Sequence, residues 1–157
     1  ANLLQAIAQK VDLSGADLTE ANFHTADLGG SNLAGATLIR TALTRTNMAA
    51  VNLSGADLGG ANMSGVILRG ADLRGANLAG ADLPTADLSQ ADLRGANFQG
   101  AMLTFAILAG ADLTGANLAK ANLGSADLSG ANLTGAILAG ARLCKTKLPS
   151  GVNNSGC

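Results

Sequence analysis

The chain has no tryptophan, no tyrosine and only three phenylalanines among its 157 residues. A core of large aromatic side chains is excluded, and far-ultraviolet dichroism will report on folding better than intrinsic fluorescence. His24 is the single histidine, so no Ser/His/Asp or Cys/His nucleophilic arrangement can be assembled without it, and no cysteine lies near it in sequence. Two cysteines without a supporting histidine are too few ligands for a zinc site. Charge of one sign is also missing. Ten Lys and Arg face eleven Asp and Glu for a net charge of −1, which gives no bulk electrostatic case for nucleic acid or an anionic membrane. No run of 18 apolar residues is present, so no segment reads as a membrane-spanning helix. Despite 21 glycines, the phosphate-binding pattern G-x-x-x-x-G-K-[ST] does not occur.

What the chain has instead is repetition. A five-residue unit, A-[DN]-L-x-x, runs from Val11 to Ser150 without insertion or slip, giving 28 units. The centre of the unit is Leu in 24 of them, with Phe23, Met48, Met63 and Phe98 as the others. Two residues earlier stands Ala in 21 units, so a large and a very small apolar residue share one face of extended chain. A period of five fits neither a 3.6-residue helix nor a long alternating strand. The chain must run extended for about three residues and then turn, which describes a solenoid.

Glycine tells how many units close one coil. Gly15, Gly35, Gly55, Gly75, Gly95, Gly115 and Gly135 end every fourth unit, seven out of seven, whereas only 9 of the other 21 such places are Gly. The rhythm predicts four units per coil and one corner in four with a stricter need for glycine, as a type II turn with positive φ would have. Seven coils follow, about 34 Å long at the spacing of β-structure. Leucine centres fill the interior and Ala sits where the walls leave no room. Asp or Asn precedes the centre in 20 of 28 units, a residue type that bonds neighbouring backbone and favours turns.

These units resemble the pentapeptide-repeat proteins over about nine-tenths of the chain. The resemblance implies an all-β fold, a right-handed quadrilateral β-helix. The ends depart from the repeat. Leu3, Leu4, Ile7, Ala8 and Val11 recur at helical spacing, so residues 1–10 are expected to form a short α-helical cap covering the open coil edge. Residues 11–150 are the solenoid, and Pro149 and Gly151 open an irregular tail over 151–157. Cys144 follows a centre and points outward, and the 12 intervening residues let Cys157 reach back. A Cys144–Cys157 disulfide clipping the tail is expected; so short a closure is worth about 3 kcal/mol and belongs in an oxidising compartment.

Four surface features compete for a role. Asp12, Asn32, Asn52, Asp72, Asp92, Asp112 and Asn132 stack in a column, in which Arg74 and Arg94 supply counter-charge. The face around Asp72, Arg74, Asp92, Arg94 and Asp112 is either a solvated, partly neutralised wall, a contact surface or a calcium site, although the EF-hand loop and the nonapeptide calcium repeat are absent. Around residues 37–47, Thr37, Thr41, Ala42 and Thr46 break the pattern, either as tolerated variation or as a bulge. In AMLTFAIL at 101–108, Met102 and Ile107 replace Asp or Asn and Phe105 takes a corner, so three apolar side chains point outward together. Finally, Ile137, Arg142, Lys145 and Lys147 change the surface of the last coil. His24 follows the centre Phe23, points outward and is given no role.

The expected function is a non-enzymatic structural or protein-interaction module with an unidentified protein partner, since a convex rod with a filled core offers no catalytic cleft. No cofactor and no metal is expected, nucleic acid is disfavoured, and the rod is expected to be a monomer. Composition and caps resemble cyanobacterial and plastid members of the family, many of them exported, which implies a periplasm or thylakoid lumen. A start at Ala1 fits removal of a signal peptide and equally an excised segment. The alternative is a DNA mimic. Gyrase-protecting members of the family are acidic rods that dimerise through a C-terminal helix; this chain departs from them in net charge, in mixing Arg with Asp, and in its Pro/Gly/Asn tail.

Overall fold

A computed structural model describes residues 2–153 and Cys157. The chain winds into four-sided coils of 20 residues, each side meeting the equivalent side of the next coil through a parallel bridge, from Asn2↔Asn22 to Asp127↔Lys147. The register never slips, so every outward position lies directly above the residue 20 earlier.

The unit accounts for each of its five amide protons. Around Leu78, Ala76 N closes the preceding turn on Leu73 O (3.0 Å), and Asn77 N donates back one coil to Ala56 O (2.9 Å). Leu78 N and Gly80 N donate forward to Asn97 O (2.7 Å) and Gln99 O (3.0 Å). The fifth amide, Ala79 N, donates to the side-chain Oδ1 of Asn77 at 3.2 Å. This is why Asp or Asn precedes the centre: its carboxylate or amide oxygen satisfies the one turn proton that the neighbouring coils do not.

Inside, the centres from Leu18 to Leu128 and the small residues between them are buried, Phe23 and Phe98 completely. Fully burying each Leu contributes roughly 1.5–3 kcal/mol, so the stack of centres is the main source of stability. Where Thr replaces Ala the hydroxyl is not orphaned. Thr41 Oγ1 donates to Leu18 O (2.9 Å), Thr46 Oγ1 to Phe23 O (2.8 Å) and Thr146 Oγ1 to Leu123 O (2.7 Å). Each inward Thr thus staples itself to the coil before it. The bridges Thr37↔Asp57 and Ala42↔Asn62 are regular, and there is no bulge at 37–47.

Three expectations need correction. Residues 2–10 form no helical cap; Asn2 and Ile7 bridge Asn22 and Asp27 and extend the solenoid by half a coil. Leu3 and Ala8 turn inward as centres while Ile7 is 85% exposed, so the helical spacing was coincidental. A ten-residue helix is marginal on its own, whereas coil pairing satisfies its backbone amides. The glycine rhythm is also not accounted for by the stricter turn expected at one corner in four. Every fifth residue from Gln5 to Lys145 has φ between 53° and 70°, thirteen of them not glycine, so no corner is stricter than another. Nothing in the structure explains why the corner at Gly15 through Gly135 is invariably glycine. The tail, finally, begins with a hairpin rather than irregular chain: β1 (Thr146–Leu148) pairs antiparallel with β2 (Gly151–Asn153). The Cys144–Cys157 disulfide is formed, with Cα atoms 4.6 Å apart. The expected tail includes residues 154–156, which lie outside the described residues.

Candidate interaction surface

Two stretches of the outer wall carry the candidate residues, and the repeat builds them in different ways. On the first, Arg74 N and Nε both donate to Asp72 Oδ1, at 3.1 and 2.9 Å, and Arg74 Nη2 reaches Asp72 Oδ2 at 2.6 Å. Arg94 repeats the arrangement on Asp92, with Nη2 to Oδ2 at 2.6 Å. Each guanidinium also approaches the next coil, Arg74 Nε to Asp92 Oδ2 at 3.8 Å and Arg94 Nε to Asp112 Oδ2 at 3.9 Å. The five residues therefore form one alternating ladder across three coils. The Arg74 bond holds the Asp72 carboxyl below its ordinary pKa against the opposing effect of burial, and Arg94 does the same for Asp92. Asp112 is lowered first by the hydroxyl of Thr114. The acids face arginines or hydroxyls at close range. Among the described residues no cluster of three or more His, Cys, Asp or Glu is placed to hold a metal ion.

The second stretch falls between Asp92 and Asp112 in the chain, where a corner joins the two other sides that carry Met102 and Ile107. Met102 and Ile107 replace the Asp or Asn of their units, so the amides of Thr104 and Ala109 lack the side-chain acceptor their counterparts have. Phe105 occupies the corner between them at φ 59° and is 63% exposed, with Met102 and Ile107 at 43% and 42%. An aromatic residue in left-handed conformation is unfavourable compared with glycine. The two other phenylalanines are fully buried. Three local rules of the repeat are thus broken within six residues, all of them outward.

On the N-terminal side, Asp82 bridges Met102 and Asp87 bridges Ile107. Arg69 bonds Asp87. Burial, the largest influence on Asp87, pushes its pKa up, but bonds from Ser89 and Arg69 together outweigh it and leave the pKa lowered. Sequence reading did not find this pair; the signal was an Arg and an Asp 18 residues apart, one coil less one turn. The described residues form no pocket.

With this geometry in place, comparison with known proteins is direct. The pentapeptide repeats family matches in 8 copies, along 1–33, 31–70, 71–108, 85–118, 96–135 and 111–148. The chain belongs to the pentapeptide repeat family. It is similar to HetL, a pentapeptide repeat protein involved in heterocyst differentiation regulation from the cyanobacterium Nostoc sp. strain PCC 7120. The two share 38% identity over 96% of this chain and 77% of HetL, with a TM-score of 0.61. A pentapeptide repeat protein of the Arabidopsis thaliana thylakoid lumen is 35% identical over 60% of this chain and 66% of its own, with a TM-score of 0.32. QnrB1, a plasmid-mediated fluoroquinolone resistance protein, is 23% identical over 85% of this chain and 77% of its own, with a TM-score of 0.44. No curated protein matches the chain significantly.

Proposed function

We propose that this protein is a non-enzymatic interaction module that holds a protein partner through the Met102–Phe105–Ile107 corner. The observation that carries the reading is the exposed apolar row itself, where the repeat gives up two side-chain acceptors and places Phe105 at positive φ. Clustered exposed apolar residues of this kind, Phe and Met among them, are what interfaces use. HetL, similar along nearly the whole chain, is involved in regulating differentiation, a role that binding without catalysis can fill. The ladder of Asp72, Arg74, Asp92, Arg94 and Asp112 is assigned to holding coils together, because its charges are satisfied by one another. The same pairing argues against imitation of duplex DNA, which needs an unneutralised acidic track. The disulfide favours an oxidising compartment such as a periplasm or thylakoid lumen.

The test is a crosslinking pull-down from the native compartment with the oxidised protein and its Met102→Asp, Phe105→Ser variant, dichroism confirming that both are folded. A partner captured by the parent and lost in the variant is the expected result. Identical capture by both would move the contact off this corner.

A further inference from the structure

The corner carries more than its apolar row. Parallel bridges run Met102↔Asn122↔Arg142 and Ile107↔Asp127↔Lys147. Phe105 follows the same course, since Phe105 N donates to Gly124 O (3.0 Å) and Ser125 N to Cys144 O (2.8 Å), stacking corners Phe105, Ser125 and Lys145. Arg142, Lys145 and Lys147 therefore lie over Met102, Phe105 and Ile107 respectively, each 40 residues later and two coils, about 10 Å, along the rod. The row between is Asn122, Ser125 and Asp127, and its one acid pairs with Lys147 at 3.3 Å. Arg142 and Lys145 have no ion-pair partner among the described residues. On the other side of the apolar row stands Asp82, likewise without an ion-pair partner among the described residues.

We infer that this corner binds an extended, acidic protein segment, with an apolar or aromatic anchor on Met102, Phe105 and Ile107 and carboxylates over Arg142, Lys145 and Lys147. The inference rests on the proposed interaction surface and names its occupant. An extended chain advances about 3.3 Å per residue, so the carboxylates stand two to four residues from the anchor, within reach of long basic side chains. Polarity of the surface selects a protein segment over an anionic membrane. A flat lipid surface laid on the apolar row meets Asp82 one coil away before it meets the basic row two coils away, whereas a peptide places its charges on one side only. Charged complementarity of this kind steers and selects the partner while the buried aromatic anchor supplies most of the affinity.

The oxidised full chain is panned against displayed random peptides, and enriched peptides are synthesised, labelled and titrated by anisotropy. Two variants are compared with the parent: Met102→Asn with Phe105→Gly, which restores the repeat, and Arg142→Gln with Lys145→Gln and Lys147→Gln. Enriched peptides should share an apolar or aromatic residue with Asp or Glu two to four positions away. The first variant should weaken them by about thirty-fold or more, the scale of a hot-spot residue. The second should weaken them by about ten-fold at low salt, a difference that disappears near 1 M salt, where the screening length is about 3 Å. No enrichment, or enrichment without acids, overturns the inference. Full binding to the second variant with loss in the first removes the acidic partner but keeps the surface. Full binding to both removes the surface as well. Sedimentation of the parent, but not the second variant, with phosphatidylglycerol vesicles would assign the basic row to lipid and equally overturn the inference.

Discussion

The wall at 72–112 and the corner at 101–107 are built from the same positions of the same unit, on different sides of the same coils, yet they answer opposite demands. At Asp72 and Asp92 the outward residue accepts a bond from its own turn, and the Arg two places later neutralises it while reaching toward the next coil. At Met102 and Ile107 the outward residue does neither, and Phe105 holds the left-handed corner that Gly75 and Gly95 hold in the wall. The first region spends its surface on the rod. The second keeps its surface free, and the physical trace of that freedom is a set of locally unfavourable choices.

That comparison depends on a shared interior, and the largest effect tests the interior first. Leu78→Asp places an unpaired carboxylate where the native side chain has no exposure, and the coil should lose more than about 4 kcal/mol, read as collapse of the dichroism melt. Next is the tail, which fixes Lys145 and Lys147 beside the corner. Cys157→Ser should cost up to about 3 kcal/mol. It should also speed amide exchange at Lys147, whose N–H donates to Ala126 O at 3.0 Å, more than at the middle coils.

Phe105→Gly sharpens the contrast itself. If the aromatic side chain serves binding rather than folding, removing it from φ 59° should stabilise the rod by up to about 1 kcal/mol, visible as a rise in Tm. The smallest effect belongs to the ladder. Arg74→Ala should lower Tm only slightly, and the loss should fade in high salt, because the guanidinium is largely solvated. The acids give a matching pH dependence. Asp72, Asp92 and Asp112 have folded pKa values below the ordinary 3.8, so their contribution is fully present above that value and is lost as pH falls below it through the folded pKa. Thermal melts from pH 6 downward, about the range over which carboxylates titrate, should be flat at first and then fall, less steeply in the Arg74→Ala variant.

Much of this was legible in the sequence, because a solenoid writes its contacts as a period. The Leu centres, the small inward partners, the backbone role of Asp and Asn and the Cys144–Cys157 closure all follow from spacing and size. The four-unit coil is legible in the 20-residue glycine rhythm, although a stricter corner is not its cause. Glycine at every fourth corner suggests a stricter φ there, yet Arg40, Phe105 and Lys120 hold a left-handed angle as Gly15 does. The N-terminal misreading has a related cause. Five apolar residues fit a helical spacing, but pairing to the next coil outweighed it, and pairing is a contact between residues 20 apart rather than a local preference. The hairpin after Leu148 was read as irregular for the same reason, since Gly151–Asn153 is short and only its partner strand makes it β-structure. For the corner, the apolar row and the basic residues of the last coil were each visible in the sequence, whereas their alignment emerged only once the coil register showed that residues 102, 105 and 107 project onto 142, 145 and 147.

The most direct test puts stability and binding on the same pair of proteins. A peptide enriched on the parent is titrated against parent and Phe105→Gly, and the thermal midpoint of each protein is measured under the same oxidising conditions. The account predicts a variant that melts at or above the parent and has lost most of its affinity. A variant that melts lower and still binds would mean that Phe105 belongs to the fold, and the corner would not be the surface the protein uses.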